Sequence, residues 1–125
     1  MGPVNQPEVV AEVAEAVERY EDALVNNRLD VLDDLFWDAS QTVRYGSGET
    51  LYGIGEIRAF RAARPSMGLA RTVLKSQITT FGWDFAVAHR EFSRPNQPKH
   101  GRQTQTWVRT DAGWKVVSAH VSQQI

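Results

Sequence analysis

With no cysteine in the chain, its most distinctive candidates for chemistry are arginines, amides, phenols and imidazoles. That absence removes disulfides, thiolate metal sites and sulfur nucleophiles. Arg44 stands in "VRY", between Val43 and Tyr45, whose side chains point to the opposite face of a strand. A guanidinium there can hold a carboxylate through two parallel hydrogen bonds, which a lysine cannot do. The plainer alternative is a solvated side chain, or a salt bridge to an aspartate of the second helix. Arg64 shares a helical face with Ile57 and Phe60 near the helix end, where it suits either the helix dipole or a pocket. Arg71 opens a long strand in "LAR", at what would be a pocket mouth, whereas Arg61 reads as a solvated helix charge. Gln103 and Gln105 share a strand face with Trp107. Their amides both donate and accept, which fits a ligand with alternating N–H and C=O groups; pairing with a neighbouring strand or water is the alternative. Tyr20 falls in line with Val13, Val17 and Leu24. It is either a core aromatic or a phenol reaching a cavity to donate to an oxyanion or relay a proton.

His89, His100 and His120 belong to different elements, with no i, i+4 spacing, so no zinc site is expected. The sequence has no glycine-rich phosphate loop and no nucleophile elbow, and no cofactor is implied. A formal charge of −1 gives no general attraction to nucleic acid or acidic lipid. The N-terminus has no cationic segment followed by an apolar run, and no apolar stretch approaches the roughly 20 residues that span a bilayer. The expectation is a soluble, cytoplasmic, single domain over the 125 residues, with its core at about 8–123.

The elements that must position these groups follow from periodicity. Val10, Val13, Val17, Tyr20 and Leu24 mark one face of a helix of about 20 residues beginning after Pro7. "LDVLDDLFW" reads as a short helix burying Leu32, Leu35 and Phe36. "QTVRYGSGETLYG" reads as a small hairpin around Ser47 and Gly48, and "GEIRAFRAARP" as a third helix stopped by Pro65. Two long strands then meet at Phe81-Gly82-Trp83-Asp84, with Gly82 suited to a type II′ turn. The polar segment "RPNQPKH" connects them to a last hairpin. Helices first and antiparallel strands last define an α+β chain, its helices packed on one side of the sheet.

In the last hairpin, "DAG" reads as a three-residue loop with Gly113 in the left-handed position. That register pairs Thr110 with Trp114, Val108 with Val116 and Trp107 with Val117. It sets Gln103, Gln105 and Trp107 beside Val117, Ala119 and Val121 on one face. The other face then carries Thr104, Thr106, Val108, Trp114, Val116, Ser118 and His120. Neither face suits bulk water. Helices would cover one and a second subunit the other, leaving a hollow at the open end of the sheet.

The stretches "FW", "TVRYG", "LYG", "IRAFRAARP", "LAR", "TTFGWDFAVA", "GRQTQTWVRT" and "GWKVVSAHVS" together resemble the dicarboxyurea-deamidase-like, or AtzH-like, family. The resemblance spans residues 8 to 123. It implies the cone-shaped nuclear-transport-factor-2-like fold, also termed SnoaL-like or cystatin-like, in which a curved antiparallel sheet wraps a long N-terminal helix and two shorter ones. The last hairpin also resembles, more distantly, the association domain of calcium/calmodulin-dependent kinase, whose pocket takes small carboxylates. The AtzH-like resemblance further implies a homodimer, and hydrolysis of a small N-carboxylated urea or a supporting role in the breakdown of such ureido acids. It places Tyr20 and Arg44 as the catalytic pair, and the residues themselves suggest Arg64, Arg71, Gln103, Gln105 and Trp107 around a small anionic substrate. Two other readings stand beside the hydrolase: a non-catalytic binding or accessory subunit of an amidase, and a lyase or isomerase of the same fold.

Overall fold

The computed structural model describes residues 2–125. Three helices, α1 (Pro7–Val25), α2 (Leu29–Leu35) and α3 (Ile54–Ala63), accompany six strands. The strands are β1 (Val43–Tyr45), β2 (Thr50–Tyr52), β3 (Thr72–Phe81), β4 (Phe85–Ser93), β5 (Gly101–Thr110) and β6 (Gly113–Gln123). They form one sheet in the order β2-β1-β6-β5-β4-β3. The sheet is mixed rather than wholly antiparallel, because β1 lies parallel to β6. The chain passes through α3 and four strands between these two, so no tight turn dictates their relative direction.

Pro7 occupies the first turn of α1, where its missing N–H costs no hydrogen bond. The helix buries Val9, Val13, Val17, Tyr20, Ala23 and Leu24 against the sheet. Val10, assigned to that stripe from the sequence, is only half-buried, and Val9, four residues before Val13, takes its place. Leu32, Leu35, Phe36 and Ile57 join the core from α2, its end and α3. Ala86, Ala88, Trp107, Trp114, Val116 and Ala119 form its sheet side. Small alanines on β4 and β6 leave room for the Trp107 indole, which is fully buried.

Both long turns are set differently from the sequence reading. Phe81 pairs with Phe85, so Gly82-Trp83-Asp84 is a three-residue loop and not a type II′ turn. Arg109 ties this loop down, donating to the Trp83 carbonyl from Nε (3.2 Å) and Nη2 (2.9 Å). In the last hairpin Thr110 pairs with Gly113, leaving only Asp111 and Ala112 in the loop. The Thr110 hydroxyl closes it, donating to the Gly113 carbonyl and accepting from the Ala112 N–H. Trp107 therefore pairs with Val116, and a bulge then leaves Val117 unmatched before Thr106 meets Ser118. The expected register holds beyond the bulge, where Gln105 faces Ala119 and Gln103 faces Val121. On the turn side it slips by one, so Trp114 and Val116 point into the core instead of onto the outer face. Ser118 and His120 stay on that outer face, exposed. Among the described residues no helix is long and apolar enough to cross a membrane.

Candidate functional site

At the open end of the sheet, α1, β1, α3 and the ends of β5 and β6 enclose a cavity of about 310 Å³. Tyr20, Arg44, Arg64, Arg71 and Gln103 all lie on its wall. Gln105 and Trp107 do not. They sit deeper in the core, fully buried, where Trp107 Nε1 donates to Gln105 Oε1 (3.2 Å). The Gln105 Nε2 amide is left with no partner among the described residues.

Each group is delivered by a different local device. Tyr20 comes from the buried stripe of α1, its ring 6.2 Å from Phe36 and its own exposure only 3 %. Arg44 points inward from the middle of β1 while Val43 and Tyr45 flank it. Pro65 disfavours helical geometry at the residue before it, so α3 ends at Ala63 and Arg64 is extended. Gly101 makes room for the Phe92 ring, on which a Cβ at that position would fall. That ring underlies two guanidinium groups, Arg71 at 4.3 Å and Arg94 at 5.3 Å from its centroid.

The pairing of these cations decides what the cavity can hold. Arg44 Nη1 donates to Glu49 Oε1 (2.6 Å). Arg71 forks onto Glu21, from Nε to Oε2 (2.8 Å) and from Nη2 to Oε1 (2.7 Å), and Nη2 also donates to Gln103 Oε1 (3.0 Å). Arg90 reaches the same Glu21 and, at shorter range, Glu18. Burial alone would raise the Glu21 carboxyl, but the hydrogen bonds and charges of Arg71 and Arg90 overcome it and hold the group below its ordinary value.

Arg64 and Arg94 are different. Arg64 Nε and Nη2 and Arg94 Nε are buried with no hydrogen-bond partner among the described residues, and neither side chain meets a carboxylate. Burial first, and then the charges of Arg61, Arg44 and Arg94, push the Arg64 guanidinium below its ordinary value, while the Tyr20 oxygen works the other way. Arg94 is lowered likewise, by burial and then by Arg71. Both remain cations at neutral pH. Four wall arginines against two carboxylates, Glu49 and Glu21, leave a surplus of two positive charges. Such a surplus favours an anion over a neutral or cationic molecule.

Sequence reasoning overlooked several of these groups. Arg94 and Gln97 fall in the polar connector after β4, where no periodicity marks an inward side chain. Glu49 was legible: Arg44 pairs with Leu51, so Glu49, two residues away, is its diagonal same-face neighbour. Arg61 is not the solvated charge it resembles. It is 2 % exposed, donates to Asp33 Oδ1 (3.1 Å) and lies 4.1 Å over the Phe36 ring. His120 is exposed on the outer face, edge-on to Tyr45, away from Gln105. Among the described residues no three His, Asp or Glu side chains are grouped to hold a metal ion.

A curved sheet packed against three helices is the nuclear-transport-factor-2-like, or cystatin-like, fold. A superfamily protein of that fold from Salmonella enterica superposes with a TM-score of 0.77, covering 94% of this chain and 92% of its own at 22% identity. Within that class the chain belongs to the AtzH-like family, whose pattern it matches over residues 2–125. A cystatin-like fold protein from Burkholderia xenovorans is 44% identical, covers 97% of this chain and 95% of its own, and has a TM-score of 0.93. A protein of unknown function from Pectobacterium atrosepticum is 56% identical, covers 98% and 95%, and has a TM-score of 0.96. No protein of curated function matches this sequence.

Proposed function

We propose that the protein is a hydrolase that binds a small dianion, an N-carboxylated urea or related ureido acid, and removes nitrogen from it. The observation that carries this reading is the pair Arg64 and Arg94, half-buried at the cavity, each with buried N–H groups that lack a partner among the described residues and no carboxylate of its own; Arg94 is otherwise held only by a bond from Nη1 to the Gly68 carbonyl (3.3 Å). A buried donor without a partner costs about 1–3 kcal/mol, so each such N–H calls for an acceptor, and an anionic ligand would supply it. Two surplus cations match two carboxylates. Gln103, anchored by Arg71, presents the remaining amide group to a ureido centre. Tyr20 lies on the same wall as Arg44, Arg64 and Arg94, and its phenol would donate to a carbonyl oxygen as negative charge develops there.

The protein would act as a homodimer joined through the outer sheet face. Phe85 and Tyr52 are 41% and 55% exposed there, and the face between them carries Thr104, Thr106 and His120. Sedimentation at micromolar concentration tests this, and a stable monomer refutes it.

The functional test is one panel of ureido acids and inert dicarboxylates such as malonate, followed by ammonia release and by melting shift. Turnover of a dicarboxylated urea, lost with Arg94→Ala, supports the hydrolase. A melting shift without ammonia from any panel member replaces it with a ligand-binding or accessory protein of an amidase.

A further inference from the structure

We infer that Glu49 is the base that activates water in this cavity, with Arg44 positioning its carboxylate and Gly46 providing the space. The inference rests on the hydrolytic reading above. A hydrolase of this kind needs a group to take a proton from water, and Glu49 is the only carboxylate on the wall among the described residues. Glu21, the partner of the wall residue Arg71, has both oxygens engaged by Arg71 and Arg90. Asp33 is held by Arg61 and does not line the cavity. Glu49 is bound more loosely. Oε1 accepts one short bond from Arg44, and Oε2 only a long one (3.3 Å) from the Gly48 N–H. A carboxylate has about four lone-pair positions, so room remains for a water.

Position 46 supplies a second, independent observation. A Cβ there would fall on the Glu49 carboxylate, and the Gly46 backbone is not in the left-handed region. Glycine at this position therefore serves space, not conformation. The space it leaves is filled by the carboxylate and keeps it against Arg44. A salt bridge that served only the hairpin would have no need to lie on the cavity wall.

In the proposed step, a lone pair of water forms a C–O bond to the ureido carbonyl carbon as one proton passes to Glu49. The carbonyl π electrons move to oxygen, which the Tyr20 hydroxyl meets. Collapse restores the C=O bond and breaks the C–N bond. Its electron pair stays on nitrogen, which takes the proton from Glu49 and departs. Glu49 ends as it began, ionised.

The experiment measures ammonia release, malonate-induced melting shift and the pH profile for wild type, Glu49→Gln, Glu49→Ala and Gly46→Ala. Loss of general-base catalysis should lower kcat by about 10²–10⁴-fold in Glu49→Gln while the malonate shift persists. The acidic limb of kcat/KM, which reports the base losing its ionised form, should vanish, and formate should partly restore Glu49→Ala. Gly46→Ala should keep the fold yet lose turnover as the carboxylate is displaced, so a folding failure of either Glu49 variant does not end the test. If wild type turns over and Glu49→Gln keeps kcat within about tenfold, or keeps the acidic limb, the inference is overturned and the hydrolase stands. If wild type releases no ammonia from any ureido acid, the hydrolytic reading fails and takes this role of Glu49 with it.

Discussion

Arg64→Leu should make the protein more stable and less able to bind its ligand. In the wild type the Arg64 guanidinium is partly desolvated, has two N–H groups without partners, and faces the charges of Arg61, Arg44 and Arg94. Leucine keeps an apolar side chain on the wall that Phe60 also lines, and removes all three penalties. Each unpartnered donor costs about 1–3 kcal/mol when fully buried, so a half-exposed group should return about 1–2 kcal/mol in all. For a chain of this size that is a rise of about 3–8 °C in Tm. Affinity should move the other way. A charge-assisted hydrogen bond contributes about 1.5–3 kcal/mol, so malonate should bind about 10–100-fold more weakly. The assay is thermal melting in a buffer free of phosphate and sulfate, with a malonate titration, since any small dianion would fill the site and stabilise the wild type selectively. A leucine variant that melts below wild type and keeps the full malonate shift would refute the reasoning, and Arg64 would then be a structural cation.

Three further outcomes follow from the same geometry. Tyr20→Phe should leave malonate affinity within about twofold and reduce kcat by about 10²-fold, because a phenol donating to developing charge acts mainly in the transition state; unchanged kcat removes it from the chemistry. Glu21 is held below its ordinary value of 4.5 by Arg71 and Arg90, so its contribution to stability is present above that value and is lost as pH falls through its lower folded value. Glu21→Gln should therefore cost about 3–5 kcal/mol at pH 7, where it leaves buried Arg71 unpaired, and should lessen the further loss on acidification, as followed by urea unfolding at several pH values. Gln105→Leu removes an unpartnered amide but orphans the Trp107 N–H, so net stability should change by no more than about 1 kcal/mol. Malonate binding should be unaltered, and a large loss of affinity would place Gln105 at the ligand after all.

Local periodicity determined most of the architecture. The i, i+4 spacing of valines on α1 exposes its buried face to inspection, and alternation along β5 sends Gln103, Gln105 and Trp107 inward together. Faces are readable because side-chain direction repeats every 3.6 or 2 residues whatever the rest of the chain does. Depth along a face is not, and so Gln103 meets the cavity while Gln105, two residues on, is sealed beneath it. The bulge at Val117 belongs to the same class: a hydroxyl bond inside the Thr110 turn shortens the loop, and the strand absorbs the difference further along.

Charge pairing was the part that tertiary structure alone decided. The sequence shows fourteen Lys and Arg and fifteen Asp and Glu, which could pair in many ways. Arg71 finds Glu21 fifty residues away and Arg61 finds Asp33 twenty-eight away, whereas Arg64 and Arg94 converge on the cavity and meet no acid. A Coulomb contact depends on separation in space and on burial, neither of which sequence spacing encodes for groups on different elements. The fold was legible because it is built from local repeats. The proposed anion site was legible only in part, because Arg64 could be named as a candidate but its lack of an acid, and the approach of Arg94, depend on which long-range pairs form.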